Sequence, residues 1–411
     1  MTWQQVKLGD VCNFSSEKIE VSKLSLNNYI STENMLPNKA GVCCSANLPN
    51  TFHAVAFHVG NILVSNIRPY FKKIWYADFN GGCSNDVLVF QANENIDKSF
   101  LYYVLSSDSF VDYDVAMAKG TKMPRGDKAA IMQYQFLVPP LSIQKKIAAV
   151  LGALDDKIEL NNKINSNLEQ QAQALFKSWF VDFEPFGGKM PEDWEVGNLL
   201  DIADYLNGLA MQKFRPEENE KGLPVLKIKE LRQGFCDASS EFCSPNVKSE
   251  YIIDNGDVIF SWSGSLLVDF WCGGKCGLNQ HLFKVLSKKF DKWFYYSWTK
   301  HHLDRFIAVA ADKATTMGHI KRDELEKAEV IIPSSTDYKK IAKILSPIYD
   351  LIIQNRIENT RLAAIRDTLL PKLMKGEIDV SAVSLPTSCV SDCHGNKSPR
   401  NDAESLSANK L

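Results

Sequence analysis

The sequence has almost no net charge. Its 47 Lys and Arg stand against 49 Asp and Glu, leaving −2 at pH 7 over 411 residues. A surface for a polyanion must therefore be a local patch and not a global field. No run of 18 apolar residues occurs, and the first residues do not read as an apolar leader. The expectation is a cytoplasmic protein with no membrane partner.

Catalytic signatures are missing too. There is no Gly-x-x-x-x-Gly-Lys-Ser/Thr loop to cradle phosphates and no Gly-x-Gly-x-x-Gly opening a helix. Nor is there an Asn-Pro-Pro-aromatic tetrapeptide of the sort amino-methyltransferases use to hold an extruded base. The His residues are dispersed, and Asp155-Asp156 and Glu217-Glu218 read as solvated charges. The 10 Cys read as plain core thiols of a reducing compartment. Cys236, Cys243, Cys272 and Cys276 fit no common zinc spacing, and Cys389, Cys393 and His394 lie in a polar tail. No catalytic residue, metal site or bound cofactor is expected, so the chain is not read as an enzyme.

What the chain does have is size, with 45% hydrophobic residues and length for two or three domains. It also has one stretch that organises the rest. From Leu141 to Phe180 the sole Gly or Pro is Gly152. A stripe with alternating spacings of four and three runs Ile147, Leu151, Leu154, Ile158, Asn161, Asn165, Leu168, Ala172, Leu175, Trp179. That is the seam of a coiled-coil helix, roughly 60 Å long at ~1.5 Å per residue. The stripe returns 194 residues later as Ile341, Leu345, Ile348, Ile352, Asn355, Asn359, Leu362, Arg366, Leu369, Leu373. Both copies carry two Asn at matched places. A buried Asn costs stability but fixes register and partner, since only another polar group satisfies it. The spacing predicts that the two helices pair with each other. The competing reading is two independent helices, each packed on its own domain.

The flanking segments repeat as well. Trp3 to Val11 is matched by Trp194 to Ile202, and Phe57 to Ser65 by Tyr251 to Ser261. Gly82 to Asp86 corresponds to Gly277 to His281, Phe100 to Leu105 to Trp293 to Trp298, and the run ending at Val138 to that ending at Pro333. The predicted class is α+β, organised as a domain (1–139), a long helix (140–186), a similar domain (187–333) and a second long helix (334–380). Residues 381–411 lack apolar periodicity and are expected to be disordered. Asn80 to Gly82 reads as a turn, and Pro347 as an early interruption of the second helix. Phe176, Trp179, Phe180, Phe183 and Phe186 need cover, from the adjacent domain or a partner.

Between the matched anchors the residues differ strongly, which suits two different binding surfaces on one scaffold. In the first half, Arg68, Lys72 and Lys73 surround Tyr70 and Phe71, Asn85 follows a Gly-rich turn, and Lys122 and Arg125 lie in a second basic loop. In the second half the matching places hold Ser263; Lys275, Asn279, Gln280 and His281; and Lys313, Thr316, His319 and Lys321. Lys and Arg neutralise phosphates, while Asn, Gln, Arg and Thr can read base edges. Any one loop alone reads as ordinary solvated surface. Recurrence at equivalent places favours DNA.

Family-like motifs cap both long helices. Leu175 to Phe186 (LFKSWFVDFEPF) closely resembles the end of the central helix in specificity subunits of type I restriction-modification enzymes. Val138 to Ile147 resembles its start, Arg366 to Asp379 the end of the second helix, and Gly60 to Pro69 a strand and loop of a target-recognition domain. The likeness covers about residues 1–380. It implies two target-recognition domains, each reading half of a bipartite double-stranded DNA site. The helices would form an antiparallel coiled coil in a pseudo-twofold circular arrangement that sets the gap. Two modification subunits would dock on it, carrying S-adenosylmethionine, and restriction subunits with ATP and Mg would join for cleavage. The alternative without DNA is an adaptor whose two divergent domains bind protein partners.

Overall fold

The computed structural model describes residues 3–312 and 319–385. Contacts group the chain into two compact units: residues up to Leu154 together with those from Arg366 onward, and Asp155–Ile365.

In the first unit, strand Gln4–Lys7 pairs antiparallel with Gln135–Val138, so the two ends of the domain close on each other. The central sheet is antiparallel, in the order Cys12–Phe14, Val87–Ala92, Ile62–Ser65, Ile74–Tyr76. Ile62–Ser65 is buried along its whole length, which is why it reads as an apolar run without alternation. A second sheet orders Lys18–Glu20, His53–Phe57, Gly81–Cys83 and Tyr29–Ile30, the last pair parallel. Gly81 and Gly82 thus lie in a strand, not in the predicted turn. A Cβ on Gly81 would sit 2.1 Å from the Asn28 carbonyl oxygen, so Gly81 allows a close backbone approach, while one on Gly82 would meet the Leu24 side chain at 2.7 Å.

The second unit repeats the plan. Glu195–Asn198 pairs with Glu329–Ile332. The central sheet runs Asp204–Asn207, Leu282–Leu286, Val258–Ser261, Leu267–Phe270. The second sheet runs Phe242–Cys243, Leu223–Leu226, Cys276–Leu278, Ile252–Ile253, again with one parallel pair.

The long helices span Leu141–Phe180 and Ser335–Met374. The second runs unbroken through Pro347, against expectation. Pro347 is exposed, as is Lys343 one turn earlier, so the carbonyl deprived of a donor faces water. The helix starts at Ser335 because the Ser334 hydroxyl accepts from the Asp337 N–H at 3.5 Å. It ends where Gly376 takes φ +71° and the Glu377 N–H returns to the Lys372 carbonyl.

Within the first unit, Ile143, Ile147, Ala148 and Leu151 of the first helix share a core with Leu370 and Leu373 of the second. Leu101, Val104 and Phe110 of the domain complete it. Leu369 packs against this core, and Leu154 is half-buried. Within the second unit, Ala172, Phe176 and Phe180 share a core with Ile341, Leu345, Tyr349 and Ile352, under Trp194, Trp293 and Trp298. Trp179, Phe183 and Phe186 pack on the same core, so this domain covers the aromatic cluster. Leu168, Leu175 and Ile348 line it, and Ile158 and Leu362 are half-buried.

The four seam Asn meet across the helices. Asn355 Nδ2 donates to Asn165 Oδ1 at 2.8 Å, and Asn161 Nδ2 donates to Asn359 Oδ1 at 2.8 Å. Asn359 Nδ2 in turn donates to Asn162 Oδ1. Four residues forward on one helix is four back on the other, so the helices are antiparallel here. Arg356 adds a clamp: its Nη1 donates to Asp269 Oδ1 at 2.6 Å and its Nη2 to Glu169 Oε1 at 2.7 Å. It ties the second helix to the first and to strand Leu267–Phe270.

Candidate nucleic-acid interface

In each domain, the candidate loops leave the ends of central-sheet strands. In the first, the chain leaves strand Ile62–Ser65 at Asn66 and turns through Pro69–Phe71. Arg68 and Lys72 flank that turn with φ 51° each, a left-handed conformation that costs a non-Gly residue of order 1 kcal/mol or more. The hairpin from Lys119 to Gly126 holds the turn in place. Ile67 and Lys119 both bridge Arg125, Arg68 N–H donates to the Pro124 carbonyl, and Gly126 N–H to that of Asn66. Gly126 is required there, since a Cβ would fall 2.3 Å from Asp114 Oδ1 and 2.9 Å from Asn66 Oδ1. Asp114 is buried without a partner for that oxygen, and burial pushes its carboxyl up to about 6.

The cations of this site differ in availability. Arg125 is mostly exposed and its Nη2 lies 3.2 Å from Asp86 Oδ1. Lys72 reaches Asp108 at 2.7 Å, and that hydrogen bond holds the Asp108 carboxyl below its usual range. Lys73 donates to the Thr32 carbonyl at 2.6 Å, and burial lowers its pKa. Arg68 is half-buried, with its Nε enclosed and unpartnered. Asn85 and Lys122 are exposed beside Asp86 and Arg125 in the chain. Tyr70 and Phe71 are exposed, their rings 4.7 Å apart.

The second domain builds the corresponding place from different chemistry. Ser263 bridges His319, as Ile67 bridges Arg125. Ser263 Oγ and His281 Nδ1 are 3.1 Å apart, and Asn279 Oδ1 accepts from the His281 N–H. The Trp262 ring contacts His281 and His319, and its Nε1 donates to Asn207 Oδ1 at 3.0 Å. Gln280 Nε2 lies 3.3 Å from His281 Nε2. Lys321 is exposed two residues beyond His319. Lys275 is not brought to this group. Strand Cys276–Leu278 separates it from His281, by ~10 Å at about 3.3 Å per residue, and it faces Asp254 at 3.9 Å. Lys313 and Thr316 lie outside the described residues.

Sequence reading placed Asn66, Asp86 and Trp262 in these loops without giving them a role, and it missed Asn207. Asp86 and His281 each immediately precede the second strand of their sheet, Val87–Ala92 and Leu282–Leu286. Aligning the halves anchor by anchor already places Asp86 opposite His281, but not as the partner of Arg125. Among the described residues no group of three or more His, Cys, Asp or Glu could hold a metal ion. The Cys236, Cys272 and Cys276 thiols are all pushed upward by burial. His302 donates from Nε2 to the Glu329 carbonyl at 2.7 Å and is lowered to about 4 by burial. No described helix is long and apolar enough to cross a membrane.

One α+β scaffold, used twice with unlike loops and joined to a pair of long helices, defines a two-domain recognition architecture. A family model described as type I restriction modification DNA specificity domain matches residues 1–170 and 191–366, and the chain belongs to that family. The MjaIX specificity subunit of Methanocaldococcus jannaschii is 30% identical, over 70% of this chain and 70% of its own. The HindI specificity subunit of Haemophilus influenzae is 25% identical, over 92% and 99%. The crystal structure of a type I restriction-modification S subunit from M. genitalium shares the fold, with TM-score 0.50 and 16% identity over 91% and 96%.

Proposed function

We propose that this chain is the DNA-specificity subunit of a type I restriction-modification complex. Each target-recognition domain reads one half of a bipartite duplex site, and the helix pair sets the unspecified gap. Arg68, Lys72, Lys73, Asn85, Lys122 and Arg125 serve the first half-site. Ser263, Asn279, Gln280, His281, His319 and Lys321, with Lys313 and Thr316, serve the second, and Lys275 adds at most a phosphate contact. Two modification subunits dock on the helices, where Leu160, Ile344, Leu351 and Ile365 are exposed apolar residues. Restriction subunits join through them. S-adenosylmethionine, ATP and Mg belong to those partners, and this chain supplies the address and not the chemistry.

The observation that carries this reading is the equivalence of Arg125 with His319 and of Asp86 with His281. Similar scaffolding holds different donors and acceptors, as two unlike half-sites require. Mapping methylated sites in cells that make this chain with its modification subunit tests it. Exchange of residues 1–138 for those of a relative should change one half of the motif only. An unchanged motif contradicts the reading. Binding that is indifferent to salt would favour the protein adaptor, because phosphate contacts make DNA affinity fall steeply as salt rises.

A further inference from the structure

Arg125 is fixed at both ends and still open to solvent, and unlike the similarly held Lys119, whose ammonium meets Asp127, it carries a guanidinium. Its backbone is held on two sides: Lys119 N–H donates to its carbonyl at 2.8 Å, its own N–H returns to Lys119 at 2.9 Å, and Ile67 bridges it from the other side. Its side chain is restrained by Asp86, with Nη2 3.2 Å from Oδ1 and 3.4 Å from Oδ2. Both side chains remain accessible, at 57% for Arg125 and 36% for Asp86. One N–H of Nη2 is thus spent on the carboxylate, and its second N–H together with a neighbouring N–H leaves one two-donor edge of the fork open. A guanidinium held this way matches the O6 and N7 acceptors of guanine bidentately, at little further entropic cost. Lys72 and Lys73 are tied to Asp108 and the Thr32 carbonyl, and as point charges they lack that fork. In the second domain His281 and His319 occupy the places of Asp86 and Arg125, beside Trp262 and Ser263. Among the described residues no guanidinium takes the place of Arg125 in that bridge.

We propose that Arg125, positioned by Asp86, reads a guanine at one fixed place in the half-site of the first domain, and that the second domain reads its half-site without this contact. The inference rests on the DNA-specificity reading above. Asp86 is a positioning residue: it sets the plane of the fork and touches no base itself.

The test is a genome-wide methylation map from cells carrying the full chain and its modification subunit. Exchange of residues 1–138 identifies which half of the motif belongs to the first domain. That half should contain an invariant G·C pair. R125A and R125K should each lower the preference for that pair by about tenfold or more, while other positions keep theirs. R125K is decisive because it keeps the charge and loses the fork. D86A should relax the same position to a smaller extent. Melting temperatures of the purified complexes separate misfolding from misreading, and if R125A fails to assemble, R125K decides. The inference is overturned if that half-site lacks a G·C pair, if R125K retains full preference, or if the variants weaken all positions equally. A wild-type map with no bipartite motif would instead remove the underlying functional reading, and this inference with it.

Discussion

Asn355 donates its side-chain amide to the Asn165 carbonyl oxygen at 2.8 Å, across two helices whose partners are 190 residues apart in sequence. Both residues are buried, and Asn165 Nδ2 also reaches the Ile352 carbonyl at 3.3 Å. Such a pair is valued for register more than for stability. N165L alone should cost about 1–3 kcal/mol, because it strands a buried Asn355. N355L should do the same. The double variant should recover most of the loss, while relaxing the register of the helices. Urea unfolding of the four proteins measures the coupling. Simple additivity of the two losses would show that the Asn do not act as a pair.

Arg356 joins Glu169 and Asp269 at 2.7 and 2.6 Å, with its side chain 26% exposed. Burial alone would disfavour its charge, but the two carboxylates more than compensate and raise its pKa. R356M should destabilise the second unit by roughly 1–3 kcal/mol, between the values for exposed and fully buried pairs. R356K should recover only part of this, because one ammonium cannot span both carboxylates as the fork does. Thermal unfolding of the assembled complex reads the order: wild type, then Lys, then Met.

Gly126 has a local consequence. G126A pushes a methyl group against Asp114 and Asn66. The hairpin holding Arg125 must shift, at an expected cost of about 1–3 kcal/mol. Recognition of the first half-site should weaken, while that of the second stays intact. Methylation maps of the variant check both halves in one experiment.

Asp114, which is buried, and His302, which is half-buried, give opposite pH dependences. The folded pKa of Asp114 is raised by burial to about 6 from its ordinary 3.8, so the folded state holds its proton more tightly. That contribution is fully present below pH 3.8 and is lost as pH rises through about 6. D114N should therefore stabilise the first unit at neutral pH and flatten its profile between those values. The folded pKa of His302 is lowered to about 4 from 6.5. Its contribution is present above pH 6.5 and is lost as pH falls toward 4. Domain-resolved hydrogen exchange at several pH values separates the two.

The parts of this molecule that were legible in sequence are those written at short range. Asn161 and Asn165 fall on a stripe of Ile and Leu with a coiled-coil period, and the same stripe returns around Asn355 and Asn359, so pairing could be expected. The strand Ile62–Ser65 announced itself as an apolar run. The rest depends on contacts between distant residues. Nothing near Asp86 in the sequence marks it as the partner of Arg125, 39 residues on. The Arg356 clamp takes one residue from each helix and one from a strand. Gly81-Gly82 has turn composition, yet it serves a strand where the Asn28 backbone crowds Gly81 and the Leu24 and Ile19 side chains crowd Gly82. Pro347 carries a helix-breaking propensity that an exposed position on a long packed helix overrides.

If the paired helices set the gap between the two half-sites, lengthening both helices together must widen it. Seven seam-compatible residues inserted after Ile158 on the first helix, and seven more before Leu362 on the second, add one heptad in register. At ~1.5 Å per residue that lengthens the rod by roughly 10 Å, about three base pairs at ~3.4 Å each. A methylation map of cells carrying this variant with its modification subunit should show the same two half-sites with the gap widened by about three base pairs. An active variant whose gap is unchanged would contradict the claim.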